Sequence, residues 1–240
     1  MYEFEERVRY SETDENGRMR LAALVNYLQD CSTFHSTDVG LSVEALEKKK
    51  RAWLLSYWDI YVDRLPKLCE QVVIGTSPHA FKGVMAHRNF WIREPGGAYL
   101  LRAESIWFYY DTERMRPAKV TEEDVAPFGE MRDVLALPES SRKIDTPAEL
   151  TAGEMLTISP HHIDSNHHVN NAQYIAIAAD ALAALPEAEL HFQKGRIRAE
   201  YRKAAVLGNK MIPYIGKTDE GFCVSLQNEE GEVYCNVEIG

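Results

Sequence analysis

Between Ser159 and Asn171 the chain reads Ser-Pro-His-His-Ile-Asp-Ser-Asn-His-His-Val-Asn-Asn, and Asp164, Asn166, His167, His168 and Asn170 fall within seven positions. An imidazole can take a proton from water near neutral pH. A carboxylate can orient that water or attack in its place, and an amide can donate to a developing oxyanion. The stretch lies between a β-like run, Met155 to Ser159, and a helical run, Ala172 to Leu185. A strand-to-helix junction leaves unpaired N–H groups at the helix start, a site for negative charge. Proton-moving side chains beside such donors suit attack on a carbonyl carbon. The same residue types also build turns and caps. His161, His162, Asp164, His167 and His168 are all conceivable metal ligands, but no His-Glu-x-x-His or paired-cysteine spacing accompanies them. The residues by themselves leave these readings open, and the assignment made here includes no metal.

The string Asp164-x-Asn166-x-His168-Val169-Asn170-Asn171 resembles the D-x-N-x-H-V-N-N signature of the acyl-ACP thioesterases, fatty-acid-releasing enzymes of plant plastids and many bacteria. The elements that would position it follow from the rest of the chain. Phe4 to Tyr10 alternates like a strand, and Ser11 to Gly17 is rich in turn formers. Leu21, Leu24, Val25, Leu28 and Cys31 then recur at helical spacing, predicting an amphipathic helix that ends before Gly40. Four strand-like runs follow, Leu54–Leu65, Glu70–Ala80, Gly83–Arg93 and Tyr99–Asp111. An antiparallel sheet wrapped around one helix, the hotdog fold, would bury both the helical stripe and the inner face of the sheet.

From Thr112 to Leu150 the periodicity lapses among prolines and charges, and then the pattern recurs. A strand over Thr151–Ser159 precedes the motif. A helix follows with Tyr174, Ile175, Ala178, Leu182 and Leu185 on one stripe, and then strands over Leu190–Ala204, Asn209–Lys217, Gly221–Gln227 and Glu232–Ile239. Asp14-Glu15-Asn16 precedes the first helix as Asp164-Ser165-Asn166 precedes the second. The expected fold is therefore α+β, a double hotdog of two tandem units, each an antiparallel sheet around a long central helix. Residues 1–120 form the first unit, 121–150 a crossover linker and 151–240 the second unit. The first copy has Asn16-Gly17-Arg18-Met19 where the second has Asn166-His167-His168-Val169. Only the second carries a proton-transfer side chain, so the first is expected to bind the acyl chain without catalysis.

The resemblance extends through Asp14-x-Asn16-Gly17-Arg18, Leu24-x-Asn26-Tyr27-Leu28-Gln29, Trp53-x-Leu55-x-x-Trp58-x-Ile60, Ser105-x-Trp107 and Arg114-Met115-Arg116-Pro117. It implies hydrolysis of a fatty acyl thioester carried on the phosphopantetheine arm of acyl carrier protein, without a cofactor of the enzyme's own. It also implies Asp164, Asn166 and His168 as the catalytic residues, with backbone N–H groups at Val169 and Asn170 completing an oxyanion hole. One departure stands out. Where plant members read E-Y-R-R-E-C-G, this chain has Glu200-Tyr201-Arg202-Lys203-Ala204-Ala205, so it lacks the further acidic residue and the once-proposed cysteine. Glu200 lies four residues upstream, on the order of 13 Å along a strand, and is not a substitute.

The composition, 45% hydrophobic and 27% charged over 240 residues, fits a globular chain. No apolar run approaches the roughly 20 residues that span a bilayer. The acidic N-terminus, Met1 to Glu6, does not read as a signal or transit peptide, which makes the cytoplasm the expected compartment. A formal charge of −10 argues against general binding to nucleic acid or anionic membrane. It also raises the question of how an acidic carrier protein would dock. Lys194, Arg196, Arg198 and Arg202, on one strand, are the expected docking patch. Cys31, Cys69, Cys223 and Cys235 are scattered and read as free thiols. The competing functions are an acyl-CoA thioesterase and a non-catalytic acyl-binding sensor. The oligomeric state is left open.

Overall fold

The computed structural model describes residues 1–185 and 188–240. Strand β1 (Tyr2–Arg7) leads through a 3-10 turn at Tyr10–Glu12 into α1 (Leu21–Asp38) and the short α2 (Val43–Lys48). Strands β2 (Arg51–Val62), β3 (Gln71–Lys82), β4 (Met85–Arg93) and β5 (Tyr99–Asp111) follow. The next segment carries only β6 (Arg116–Pro117), α3 (Glu122–Val125) and a 3-10 turn at Ala126–Phe128. Strands β7 (Thr151–Ala152) and β8 (Leu156–Thr157), a 3-10 turn at Pro160–His162 and α4 (Asn171–Leu182) open the second unit. It closes with α5 (Glu189–Gln193), β9 (Gly195–Tyr201), β10 (Lys210–Lys217), β11 (Phe222–Gln227) and β12 (Val233–Ile239).

The expected double hotdog is the fold observed, and its two sheets are one. The strand order β1-β3-β4-β5-β2-β9-β12-β11-β10-β7 is antiparallel throughout, and β2 pairs with β9 from Tyr57↔Glu200 to Val62↔Gly195. On the concave side α1 packs against α4. The stripe expected on α1, Leu21, Leu24, Val25, Leu28 and Cys31, is buried. Gly40, at φ +80°, ends the helix, its N–H returning to the Thr37 carbonyl. On α4 the buried residues include Tyr174, Ile175, Ala178 and Leu182, and both helices join one core. Among the described residues no helix is long and apolar enough to cross a membrane.

Three strand expectations differ from what is seen. The run over Thr151–Ser159 splits into β7 and β8 because Pro213 sits opposite its middle. Proline has no N–H for the ladder, so β7 pairs with Tyr214 and Ile215 while β8 pairs with Lys210 and Met211. The run from Leu190 to Ala204 becomes α5 followed by β9. The strand begins at Gly195, where an added Cβ would lie 2.1 Å from the Gly240 carbonyl oxygen. Alternation also predicted one buried face for β2, yet Trp58 and Ile60 are buried on the inner face and Tyr57 and Asp59 on the outer.

The segment after β6 supplies that outer cover. Ser140 Oγ lies 3.0 Å from Tyr57 Oη and donates to Asp59 at 2.6 Å, and Arg142 donates to Ser56 Oγ at 2.8 Å. Ile144 packs with Tyr57 and Cys223 in a second small core. Beneath this strap Asp59, 1% exposed, receives Arg196 Nε and Nη2 at 2.8 Å each across the β2–β9 seam. Removing one partner of a buried ion pair strands the other charge. Asp59→Ala is therefore expected to lower unfolding stability by about 3 kcal/mol, read as a lower denaturant midpoint, with Asp59→Asn milder.

Candidate active site

A four-residue turn builds the motif. The Asp164 carboxylate oxygen Oδ1 accepts the Asn166 amide at 2.8 Å and, more weakly, the His168 amide at 3.4 Å. The Asp164 N–H donates to the His168 carbonyl at 2.9 Å and the His167 N–H to the Asp164 carbonyl at 3.1 Å. This closure forces His167 to φ +61°. The first copy has the same turn, with Asp14 Oδ1 accepting the amides of Asn16 at 2.9 Å and Arg18 at 2.8 Å, and it places Gly17 at φ +68°. The aspartates are thus architectural in both copies, and the chemistry differs only in what the turn displays. Here it displays Asn166 and His168, both exposed and with no side-chain hydrogen bond among the described residues. Asp164 is half-buried beside them, its Oδ2 unpaired.

The amides expected to form an oxyanion hole are already engaged. Val169 N–H donates to the Ala205 carbonyl and Asn170 N–H to the His162 carbonyl, each at 2.9 Å. Both bonds lock the loop to its neighbours, so neither N–H is free to meet a substrate. Asn170 is instead the N-cap of α4, its Oδ1 accepting the Ala172 amide at 2.9 Å. The Asn171 amide is the first of this helix end left without a partner, which makes it the better candidate donor. Of the flanking histidines, His162 is tied to the loop's own framework. His162 Nδ1 accepts the Ser159 amide at 3.0 Å, and burial, with His161 alongside, lowers its pKa.

The other half reaches into this site. Gln29 on α1 donates to Asn170 Oδ1 at 3.2 Å and accepts from Asn171 Nδ2 at 2.9 Å. Tyr201 Oη donates to the Asn171 carbonyl at 2.9 Å, and Tyr174 Oη accepts the Ala205 amide at 2.8 Å. Gln29 lies in a string that resembles the family, but nothing local in the sequence assigns it to a loop 141 positions away.

Residues 1–128 match the acyl-ACP thioesterase N-terminal domain, and residues 149–240 match the acyl-ACP thioesterase C-terminal domain. The chain belongs to the acyl-ACP thioesterase family. Among curated proteins it is 26% identical over 170 residues to acyl-(acyl-carrier-protein) hydrolase FATB2, chloroplastic, of Cuphea viscosissima, covering 65% of this chain. That match spans 40% of the length of the Cuphea protein. In fold the chain resembles an acyl-ACP thioesterase from Bacteroides thetaiotaomicron, with a TM-score of 0.87, 22% identity and coverage of 99% of this chain and 96% of that one. It likewise resembles the 12:0-ACP thioesterase from Umbellularia californica, with a TM-score of 0.80, 18% identity and coverage of 99% and 95%.

Against the family pattern, Ala204 is exposed and Ala205 is buried, its N–H and carbonyl both committed to the site's framework. Neither offers a reacting group. Burial raises the pKa of Cys31 and Cys223 to about 12 and pushes that of Cys235 well up. These three thiols are poor nucleophiles. Glu200 faces away from the motif, accepting the Ile144 amide at 3.1 Å under the strap.

The docking expectation needs correction. Arg196 is held by Asp59. Arg198 donates to Tyr57 Oη at 2.8 Å, Glu238 at 3.0 Å and the Ser141 carbonyl at 2.7 Å. Both serve the seam and the strap, and only Lys194 and Arg202 of the expected patch are exposed. A strand face that alternates basic residues looks free only until something lies across it.

In the first unit a cavity of about 60 Å³ lies between α1 and the sheet, lined by Ser32, Ser36, Trp53, Phe81, Trp107 and Phe128 among others. It has room for roughly two waters. Its wall is less apolar than expected, because Arg88, 7% exposed, reaches Thr76 Oγ1 at 3.4 Å and His35 Nδ1 at 3.5 Å and lies over the Phe128 ring.

Two outcomes are expected. Gln29→Ala removes a neutral bridge that positions the motif, and a bond of about 1 kcal/mol corresponds to roughly a fivefold loss in kcat. KM should change little, and Gln29→Glu should not restore the rate because a carboxylate cannot donate to Asn170. The second concerns pH. Burial, reinforced by Arg88 and the amino terminus, lowers the pKa of His35 to about 4. An unfolded-chain histidine titrates near 6.5, so between those values the unfolded state binds the extra proton. Stability is then full above about pH 6.5 and falls towards pH 4, on the order of 3 kcal/mol from this group. His35→Phe should flatten that part of the pH–stability curve.

Proposed function

We propose that this chain hydrolyses the thioester of a fatty acyl group carried on acyl carrier protein, releasing the free fatty acid and the holo-carrier in fatty acid synthesis. The single observation that carries the reading is the pair of matched turns. Two backbones of the same geometry each present an asparagine beside a carboxylate, and only the second adds an imidazole, His168, where the first has Arg18.

In this reading His168 takes a proton from a water molecule, whose oxygen attacks the thioester carbonyl. Negative charge then develops on the carbonyl oxygen. The Asn171 amide and the Asn166 side chain are the donors that can meet it. Collapse breaks the C–S bond, and the imidazolium returns the proton to the departing phosphopantetheine thiolate. Asp164 orients the water through its unpaired oxygen while the other holds the turn. Two backbone amides on Oδ1 favour this positioning role over direct attack by Asp164 to form an anhydride.

The acyl chain is assigned to the first unit, between α1 and the sheet. Its cavity is too small as it stands, so Phe128, on the 3-10 turn that opens the strap, must move aside. With an overall charge of −10, the acidic carrier protein is expected to approach on local basic groups such as Lys194 and Arg202.

His168→Ala and Asp164→Ala should each lower turnover of an acyl-ACP by at least about a hundredfold while retaining the circular dichroism of the wild type. Arg18→Ala, at the matching place in the first copy, should leave the chemical step within a few-fold. Equal losses at Arg18 and His168, measured in single turnover, would refute the division of labour. Faster turnover of the same acyl group on CoA than on the carrier protein would refute the substrate.

A further inference from the structure

A side-chain cluster in the first unit lies outside the thioesterase machinery. His79 on β3, His87 on β4 and Glu104 on β5 meet on the outer face of three adjacent strands. His79 Nε2 lies 2.9 and 3.0 Å from the two Glu104 oxygens, and His87 Nδ1 lies 3.1 Å from Oε1. All three ligand atoms fall within 4.8 Å of one another.

The backbone is shaped for this meeting. The β3–β4 pairing runs Pro78↔Arg88 and then Ala80↔His87, leaving His79 as the extra residue of a bulge. Continuing the register of Pro78↔Arg88 sets His79 opposite His87, and directly opposed residues of an antiparallel pair share a face. The bulge shifts the pairing only from Ala80 onward, so that His79 and Ala80 together face His87. Glu104 is fixed from behind by Asn89, which is 1% exposed and donates Nδ2 to Oε2 at 2.8 Å. The Asn89 Oδ1 accepts the Val134 amide at 3.0 Å, so its orientation is set by the strap as well. A rigid outer partner that orients a ligating carboxylate is the usual companion of a metal ligand.

We propose that His79 Nε2, His87 Nδ1 and the Glu104 carboxylate bind one divalent transition-metal ion of the zinc class. Two imidazoles and a carboxylate form a common zinc donor set, with ligand distances of about 2.0–2.2 Å. Ligands arranged tetrahedrally at that range stand about 3.3–3.5 Å apart. The observed N···O separations are a few tenths of an ångström shorter, so small rotamer adjustments admit the ion. Three protein ligands leave a position for water. A further anion, Asp133 on the strap, acts electrostatically on His79. The ion would clip β3, β4 and β5 together beneath residues 132–134, where Ser77 and Asn89 already hold the strap. His87 also lines the cavity between α1 and the sheet, so the clip stiffens its outer wall.

The test uses the full chain, stripped with a chelator and titrated with Zn²⁺ by calorimetry and with Co²⁺ by visible absorption. The expected result is one saturable equivalent, d–d bands of low-coordinate cobalt, and a higher Tm with zinc. Glu104→Gln keeps the size of the side chain and one acceptor oxygen for Asn89 but removes the anionic ligand. It and His79→Ala should each weaken binding by at least about a hundredfold, as loss of a direct ligand should exceed loss of an outer partner. A His161→Ala, His162→Ala, His167→Ala triple variant should keep the equivalent. If His79→Ala does not fold, Glu104→Gln decides the matter, with its circular dichroism as the check. The proposal is overturned if the wild type shows no saturable equivalent. It is equally overturned if binding survives Glu104→Gln unchanged, or if the loop triple variant removes it.

Discussion

The pairing of β2 with β9 is the contact on which everything else rests. It turns two half-sheets into one and fixes the relation of their helices, so that α1 meets α4. That meeting brings Gln29 to the motif loop. Its outer face is charged, and charge at the centre of a sheet is tolerated only when paired and covered. Asp59 and Arg196 supply the pairing and the strap supplies the cover, with Ser140 adding a further bond. An otherwise irregular segment is thereby held to one course by polar contacts to β2.

Duplication explains how the chain acquires chemistry at little structural cost. A turn closed by an aspartate is stable in both halves, and the position after the asparagine must adopt a left-handed conformation. Glycine takes it in the first copy, and His167 takes it in the second at some local strain. Because the Asp164–amide bonds and the Ala205–Val169 bond hold the backbone, the exposed residues at 166 and 168 can vary without endangering the fold.

The acidic balance of the chain also looks different once its arginines are placed. Arg64 pairs with Glu70 and Glu94, Arg93 with Glu3, Arg196 with Asp59 and Arg198 with Glu238. These cations serve internal geometry and are not available to steer a partner. Arg88 is buried with no carboxylate among the charges acting on it, and burial lowers its pKa to about 10.

The sequence by itself determined the elements that depend on short-range periodicity. The stripes of α1 and α4, the extent of β5 and the repeated order of strands are local patterns, and burial of one face enforces them. It also determined the motif, because an aspartate closing a turn, a capping asparagine and an exposed imidazole act over a few residues. What only the tertiary structure decided depends on partners distant along the chain. The availability of an amide depends on which carbonyl folds against it, and so the N–H groups of Val169 and Asn170 are committed to Ala205 and His162. Whether Arg196 and Arg198 are free depends on a strap some 50 residues earlier, whose Ser141 carbonyl Arg198 reaches. Gln29 joined the site because two helices pack, and His79 joined His87 and Glu104 because three strands distant in sequence pair side by side. Local rules fix what a residue can do; the neighbours that folding brings to it fix what it does.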